Sequence, residues 1–190
     1  MRRRDLPGLA ALCGHLAIPL YGPLSPWWHD VKAGTWTEEL AEHFRITHRD
    51  LKFASPEEGD QAFLETFAVP GHPLTCIESV HKPWTADPQA TLAFAHEKGW
   101  LGGDSASHMR DLFGLAGLAI PPELAHAPDH LALELELLGL LAEQGDPESV
   151  DLFIAQHLDW VPNLAAAAAS KGGVAPFYRA LLPIVAETVA

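Results

Sequence analysis

Residues 121–142 read PPELAHAPDHLALELELLGLLA, and this stretch decides the fold class. Three prolines within its first eight residues prevent one helix from continuing through that part. Leucines then recur at helical spacing on two adjacent faces, which predicts a deeply buried helix. The leucines are Leu131, Leu135, Leu138 and Leu141 on one face and Leu133, Leu137 and Leu140 on the other. Apolar positions elsewhere also follow helical spacing, so we predict an all-α protein.

Start and stop signals divide the chain into a helical bundle of about eight to ten helices. The predicted helices cover residues 6–18, 37–46, 56–68, 88–98, 104–116, 131–142, 147–158 and 174–188, with a short alanine-rich helix within 163–173. Pro19 is expected to stop the first helix, and Thr37 and Ser55-Pro56 to mark two helix starts. Residues 19–32 are expected to be an irregular connection. Pro70, Gly71, Pro73, Pro83 and Pro88 predict a long exposed loop over 69–88.

The proline-rich segment 117–128 is the best candidate for a hinge. We predict a single all-helical domain with an amino lobe over about 1–116 and a carboxyl lobe over about 129–190. A hinge of this kind also allows the carboxyl lobe to be exchanged between chains. Both a monomer and a domain-swapped homodimer are therefore compatible with the sequence.

The composition excludes several kinds of partner. Twelve Lys and Arg against 25 Asp and Glu give a net charge of −13, which repels nucleic acid and attracts basic partners.

The two cysteines, Cys13 and Cys76, form no disulfide or zinc pattern, which fits a reducing compartment. No run reaches the roughly 18 apolar residues of a membrane span. Asp5, Pro7 and His15 make the arginine-rich start a poor secretion signal. We expect a cytoplasmic protein.

Metal and catalytic chemistry are not indicated by any motif. Eleven histidines suggest a metal-binding protein, but Pro128 separates His126 from His130, and His43 and His48 are five apart. No nucleophile elbow, phosphate loop or dinucleotide fingerprint is present. We therefore predict no metal site, no cofactor and no enzymatic activity.

Several motifs in a fixed order carry a resemblance to a known family. These are IESVH at 77–81, the Pro-Pro hinge, PDH at 128–130, the ELEL helix, HLDW at 157–160 and FYRALL at 177–182. Together they resemble the TorD/DmsD family of cytoplasmic chaperones for molybdoenzymes of the dimethyl sulfoxide reductase superfamily. His81 stands where tyrosine is usual in that family. The motifs look closer to this branch than to the members that serve respiratory nitrate reductases.

The resemblance implies an all-helical chaperone that binds the twin-arginine leader and the apo form of a molybdoenzyme catalytic subunit. Such a chaperone assists cofactor insertion and delays export until the client is folded. A leader with a basic segment and an apolar stretch needs an apolar groove with negative charge nearby. The expected peptide-binding residues are Glu78, Ser79, His81, Trp84, Pro121, Pro122, Glu123, Asp129 and His130. His157 and Trp160 are expected to be a core pair at a helix end.

Two other functions remain open from the residues alone. A helical interaction subunit of another assembly has the same composition, and a histidine-rich metal-binding protein is the second alternative. Asp129 has two interpretations as well, because an aspartate at a helix start can be a simple amino-terminal cap.

Overall fold

The computed structural model describes residues 5–68 and 74–190. Ten α-helices form in this part of the chain. They are α1 Leu6–Tyr21, α2 Trp28–Ala33, α3 Thr35–Phe44, α4 Pro56–Phe63, α5 Glu78–His81, α6 Gly103–Leu115, α7 Leu131–Glu143, α8 Pro147–Phe153, α9 Val161–Ser170 and α10 Pro176–Thr188. The wider turns Leu64–Ala68 and Ile154–Leu158 extend α4 and α8. No β-strand forms among the described residues, so the all-α prediction is confirmed.

Helices α1 and α7 pack against each other along their length and lie at the centre of the core. Leu16 and Leu20 of α1 and Leu135 of α7 are almost completely buried. Each such side chain contributes roughly 1.5–3 kcal/mol through burial. Gly139 permits the close approach, because a Cβ atom there would lie 3.2 Å from the Ala10 carbonyl oxygen. The predicted deep burial of the leucine-rich helix is confirmed.

The buried apolar side chains form one continuous core to which both the first and the last described helix contribute. Trp36 of α3 packs on Phe177 of α10, with ring centroids 5.8 Å apart. The Tyr178 hydroxyl donates to the Pro19 carbonyl at 3.1 Å. None of the described helices has the length and apolar character that spanning a bilayer requires.

Several predicted helix bounds are correct and others are wrong. Ser55 caps α4 by accepting a hydrogen bond from the Glu58 amide at 3.3 Å, as predicted. Pro19 does not stop α1, which continues to Tyr21 because packing of the buried residues around it outweighs the lost backbone hydrogen bond. The connection 19–32 contains most of α2. Thr37 lies inside α3, where its hydroxyl donates to the Leu51 carbonyl instead of capping the helix.

The predicted helix over residues 88–98 does not form. Residues 82–102 fold back on themselves instead, with the Trp84 and Thr85 amides donating to the Glu97 and Ala95 carbonyls at 3.1 and 2.9 Å. Helix α6 begins directly after this segment at Gly103, which has φ +74° and whose Cβ position lies 2.0 Å from the Trp84 carbonyl oxygen. Only glycine fits at this position. These long-range backbone contacts override the local helix signal at Asp87-Pro88.

The segment 69–88 differs in part from the predicted exposed loop. Residues 69–73, including Pro70, Gly71 and Pro73, lie outside the described residues, as do residues 1–4 of the arginine-rich start. Leu74 and Cys76 are buried, and α5 follows directly. The predicted hinge 117–128 contains no α-helix and only the 3-10 turn Pro122–Leu124.

Candidate functional site

The ESVH and PDH segments, 50 residues apart in sequence, lie side by side. The amide of Leu131 donates to the Cys76 carbonyl at 2.7 Å, and the Glu78 amide donates to the Asp129 carbonyl at 3.0 Å. The Asp129 carboxylate then accepts a 2.7 Å hydrogen bond from the Ser79 amide in the first turn of α5. The structure therefore brings three predicted site residues, Glu78, Ser79 and Asp129, into one place.

The Asp129 carboxylate caps α5 and does not cap α7, the helix that follows it in the chain. Its carboxylate binds α5, and the amino-terminal cap of α7 is His130, whose ring nitrogen accepts from the Ala132 amide at 3.3 Å. The expectation that Asp129 caps its own helix is therefore wrong. The backbone pairing of residues 76–78 with 129–131 places the Ser79 amide within 2.7 Å of this carboxylate.

A cluster of titratable groups, three of them buried, lies beneath the paired segments. We call Glu78, Lys82, Glu134 and His157 the Glu78 cluster. Glu78 Oε1 lies 2.7 Å from Lys82 Nζ, and Glu78 Oε2 lies 2.8 Å from His157 Nδ1. Burial alone raises the pKa of Glu78, but the hydrogen bonds with His157, Glu134 and Lys82 outweigh it and lower the pKa. Glu78 is therefore held as a carboxylate inside the protein.

Glu134 stands beside Glu78 and is completely buried. Burial and the negative charge of Glu78 raise its pKa well above the ordinary value. An oxygen of Glu134 lies within 4.8 Å of an oxygen of Glu78. When Glu134 is protonated, it can donate a hydrogen bond to Glu78. When both side chains are ionised, they repel each other. Among the described residues, no donor group reaches either Glu134 oxygen or Asp129 Oδ1.

His81 and Trp160 extend the same region toward the surface. Their rings stack with centroids 4.5 Å apart, and His81 Nε2 lies 2.8 Å from the Thr75 carbonyl oxygen. Burial lowers the pKa of His81, so its neutral ring donates this hydrogen bond. The Trp160 indole donates to the His157 carbonyl at 2.7 Å, and both side chains are buried. The predicted core pair of His157 and Trp160 is confirmed.

Trp84 lies apart from this cluster, in the folded-back segment 82–102. Its ring meets Phe94 edge to face with centroids 5.4 Å apart, and its carbonyl accepts from the Asp104 amide at 2.9 Å. The side chain is half-buried. Its observed contacts are therefore structural contacts of the segment.

The remaining predicted residues, Pro121, Pro122, Glu123 and His130, lie in or next to a groove. Two cavities of about 310 and 260 Å³ lie between α1, α7 and the hinge, and Glu136 lines both. We call them together the α1–α7 groove. Its lining residues are Ala10, Gly14, Ile18, Tyr21, Leu24, Ser25, Pro26, Trp27, Phe113, Leu118, Ala119, Pro121, Glu123, Leu124, Glu136, Gly139, Leu140 and Glu143. Pro122, next to two lining residues, is exposed.

Exposed apolar side chains and carboxylates surround this groove. Leu24 and Trp27 are 52% and 57% exposed, which is unusual for such large apolar side chains. Glu123, Glu136 and Glu143 add negative charge along its length. The lining part of α1 covers eleven residue steps, or about 16 Å, which matches three turns of a bound helix.

Sequence reasoning missed several groove residues. Glu136 was not among the predicted site residues, although a carboxylate in the otherwise apolar ELEL helix is a visible signal. Burial raises its pKa, and the Tyr21 hydroxyl donates to it at 2.8 Å. Tyr21 also lies beside His130, with ring centroids 6.4 Å apart, so His130 lies between the groove and the paired segments.

The chain matches a known protein family over most of its length. The profile of the family described as nitrate reductase delta subunit matches residues 30–166. A curated relative, the chaperone protein TorD of Vibrio cholerae serotype O1, is 34% identical over 95 residues. That alignment covers 42% of this chain and 43% of the relative, so the chain matches less than half of the relative's length. Because the family profile covers well over half of the chain and the relative is a TorD protein, the chain belongs to the TorD/DmsD family of chaperones.

Proposed function

We propose that the protein binds the twin-arginine leader and the apo form of a molybdoenzyme catalytic subunit of the dimethyl sulfoxide reductase superfamily. It holds the client in the cytoplasm, assists insertion of the cofactor and delays export until folding is complete. The α1–α7 groove is the observation that carries this proposal. An apolar helix-forming leader fits its exposed leucine and tryptophan side chains, and a basic leader segment fits its carboxylates.

The predicted site residues have different parts in this proposal. Pro121 and Glu123 line the groove, and the adjacent Pro122 and His130 shape it. Glu78, Ser79 and Asp129 are buried, so they act on the leader by fixing the hinge end and the start of α7. His81 and Trp84 are partly exposed on the neighbouring surface, where they are available to the apo-enzyme.

A pull-down from the native cytoplasm tests the function first. The tagged protein is recovered from cells that express molybdoenzymes, and bound proteins are identified by mass. We expect a molybdoenzyme precursor that is lost when its leader is deleted. Recovery of other proteins in place of any such precursor would favour a helical interaction subunit instead.

Point variants then test the groove itself. Leu140→Glu places a charge in the apolar groove, whereas Leu152→Glu changes an exposed helical leucine of α8 outside it. We expect Leu140→Glu to weaken binding of the fluorescently labelled leader by at least about tenfold, and Leu152→Glu to leave it unchanged. Equal affinities for both variants would exclude this groove as the binding surface.

The contribution of the groove carboxylates is tested in the same leader titration. We expect Glu123→Gln and Glu143→Gln to weaken binding and to reduce its salt dependence, because each removes an attraction for the basic segment. Glu148→Gln, an exposed carboxylate of α8, is the control. A leader with both arginines replaced by glutamine should no longer distinguish these variants from the wild type.

A further inference from the structure

The Glu78 cluster offers a set of metal ligands that no sequence motif indicates. One oxygen of Glu78, one oxygen of Glu134 and one nitrogen of His157 all lie within 4.8 Å of one another. The three residues come from α5, α7 and the turn after α8, and all three are buried. Two carboxylate oxygens and an imidazole nitrogen are a donor set that suits divalent transition-metal ions.

The unsatisfied oxygens of the cluster are a second and independent observation. Within the described part of the chain, no hydrogen-bond donor reaches either buried oxygen of Glu134, and the same holds for Asp129 Oδ1 next to the cluster. Buried polar atoms in folded proteins are nearly always satisfied, by protein, water or an ion. The proton that Glu134 shares with Glu78 can satisfy only one of the two Glu134 oxygens. A cation between the two carboxylates satisfies Glu134 and removes their repulsion.

His157 is oriented for coordination through Nδ1. Its Nε2 lies 2.8 Å from Nδ1 of His108, and its Nδ1 lies 2.8 Å from Glu78 Oε2. A neutral His108 ring with its proton on Nε2 presents an Nδ1 that can accept a hydrogen bond. In one tautomer of His157, Nδ1–H donates to Glu78 Oε2; in the other, Nε2–H donates to His108 Nδ1 and the lone pair of Nδ1 is available to an ion. An outer hydrogen bond of this kind fixes the tautomer of metal-binding histidines.

The cluster also has an entry path and a partial counter-charge. An open cleft of about 360 Å³ reaches it, lined among others by Lys82, Asp104, His108 and His157. Lys82 binds Oε1 of Glu78, while Oε2 faces Nδ1 of His157, the nitrogen of the proposed ligand set. With an ion bound, the two carboxylates face the ammonium group of Lys82 and one divalent cation.

We propose that Glu78, Glu134 and His157 bind one divalent transition-metal ion, with Zn²⁺ as the best match to these ligands. The ion joins α5, α7 and the end of α8 beneath the paired segments. This site is separate from the α1–α7 groove and goes beyond the proposed chaperone function, so either can fail without the other.

Calorimetric titration of the full chain with Zn²⁺, after treatment with a chelator, tests the proposal. We expect one saturable site per chain and a Tm that rises by at least about 5 °C at a hundredfold excess over Kd. Glu134→Gln, which has the same shape but is a poor ligand, should lose this site, whereas Glu148→Gln should keep it. Co²⁺ should give a visible absorption band in the wild type that Glu134→Gln lacks.

Two results would overturn the proposal. The first is that the wild-type protein takes up no Zn²⁺ or shows no rise in Tm. This result can be interpreted without any variant. The second is uptake that Glu134→Gln retains in full, which would mean that Zn²⁺ binds adventitiously to some of the eleven histidines. Circular dichroism of Glu134→Gln verifies that the variant is folded.

Discussion

The Asp129 carboxylate accepts a 2.7 Å hydrogen bond from the Ser79 amide, and both groups are buried. This hydrogen bond joins the start of α7 to α5, although the two residues are 50 positions apart in the chain. We expect Asp129→Ala to lower the free energy of unfolding by about 2 kcal/mol, because it leaves a buried amide without an acceptor. Asp129→Asn keeps an acceptor oxygen, so its free energy of unfolding should fall by less than that of Asp129→Ala. Urea unfolding of both variants measures this, and equal losses would contradict the assigned hydrogen bond.

Lys82 is the cation that balances Glu78. Its ammonium group lies 2.7 Å from Glu78 Oε1 and 2.6 Å from Asp159 Oδ1, and it donates to the Gln156 carbonyl at 2.6 Å. We expect Lys82→Met to destabilise the protein by about 2–3 kcal/mol in urea unfolding, because a buried carboxylate loses its partner. Lys52→Met changes an exposed lysine and should cost less than about 0.5 kcal/mol. Similar losses for both would mean that the buried ion pair contributes little.

His130 gives the stability a pH dependence. Burial, with a smaller effect of His126, lowers the pKa of His130 to about 4. Since an unfolded histidine has a pKa near 6.5, the unfolded state binds more protons between pH 4 and 6.5, and stability falls as the pH drops through this range. The contribution is about 2 kcal/mol between pH 6.5 and 5.

The substitution His130→Asn isolates this contribution. Asparagine retains an acceptor for the amino-terminal cap of α7 but does not titrate. We expect the variant to lose less stability than the wild type when urea unfolding at pH 6.5 is compared with pH 5. An identical loss in both proteins would show that other groups cause the pH dependence.

Gly14 allows binding and stability to be separated. It lies inside α1 on the groove wall, and a Cβ atom there would meet nothing within 4 Å. We expect Gly14→Leu to raise the free energy of unfolding by about 0.5–1 kcal/mol through helix propensity, while its side chain fills the groove and weakens leader binding. Gly114→Leu, in an equally open position of α6, should stabilise without affecting binding. Thermal unfolding and leader titration measure the two effects, and undiminished binding by Gly14→Leu would place the leader elsewhere.

The predictions that succeeded were those with a local physical cause. Ser55 next to Pro56 specifies a helix start through groups three residues apart, and the leucine spacing of α7 specifies a buried helix wherever it packs. The predictions that failed were overruled by distant contacts. Pro19 stays inside α1 because its surroundings are core, and Asp87-Pro88 starts no helix because Trp84 pairs with Glu97.

The sequence by itself determined the helical class, most helix positions, the proline-rich break before α7 and the family, because spacing, capping and ordered motifs are properties of neighbouring residues. Only the tertiary structure decided which side chains meet. Glu78 and His157 are 79 residues apart, and Tyr21 and Glu136 are 115 residues apart. Contacts at such separations depend on how the helices pack, so neither the buried carboxylate cluster nor the groove could be read from local pattern.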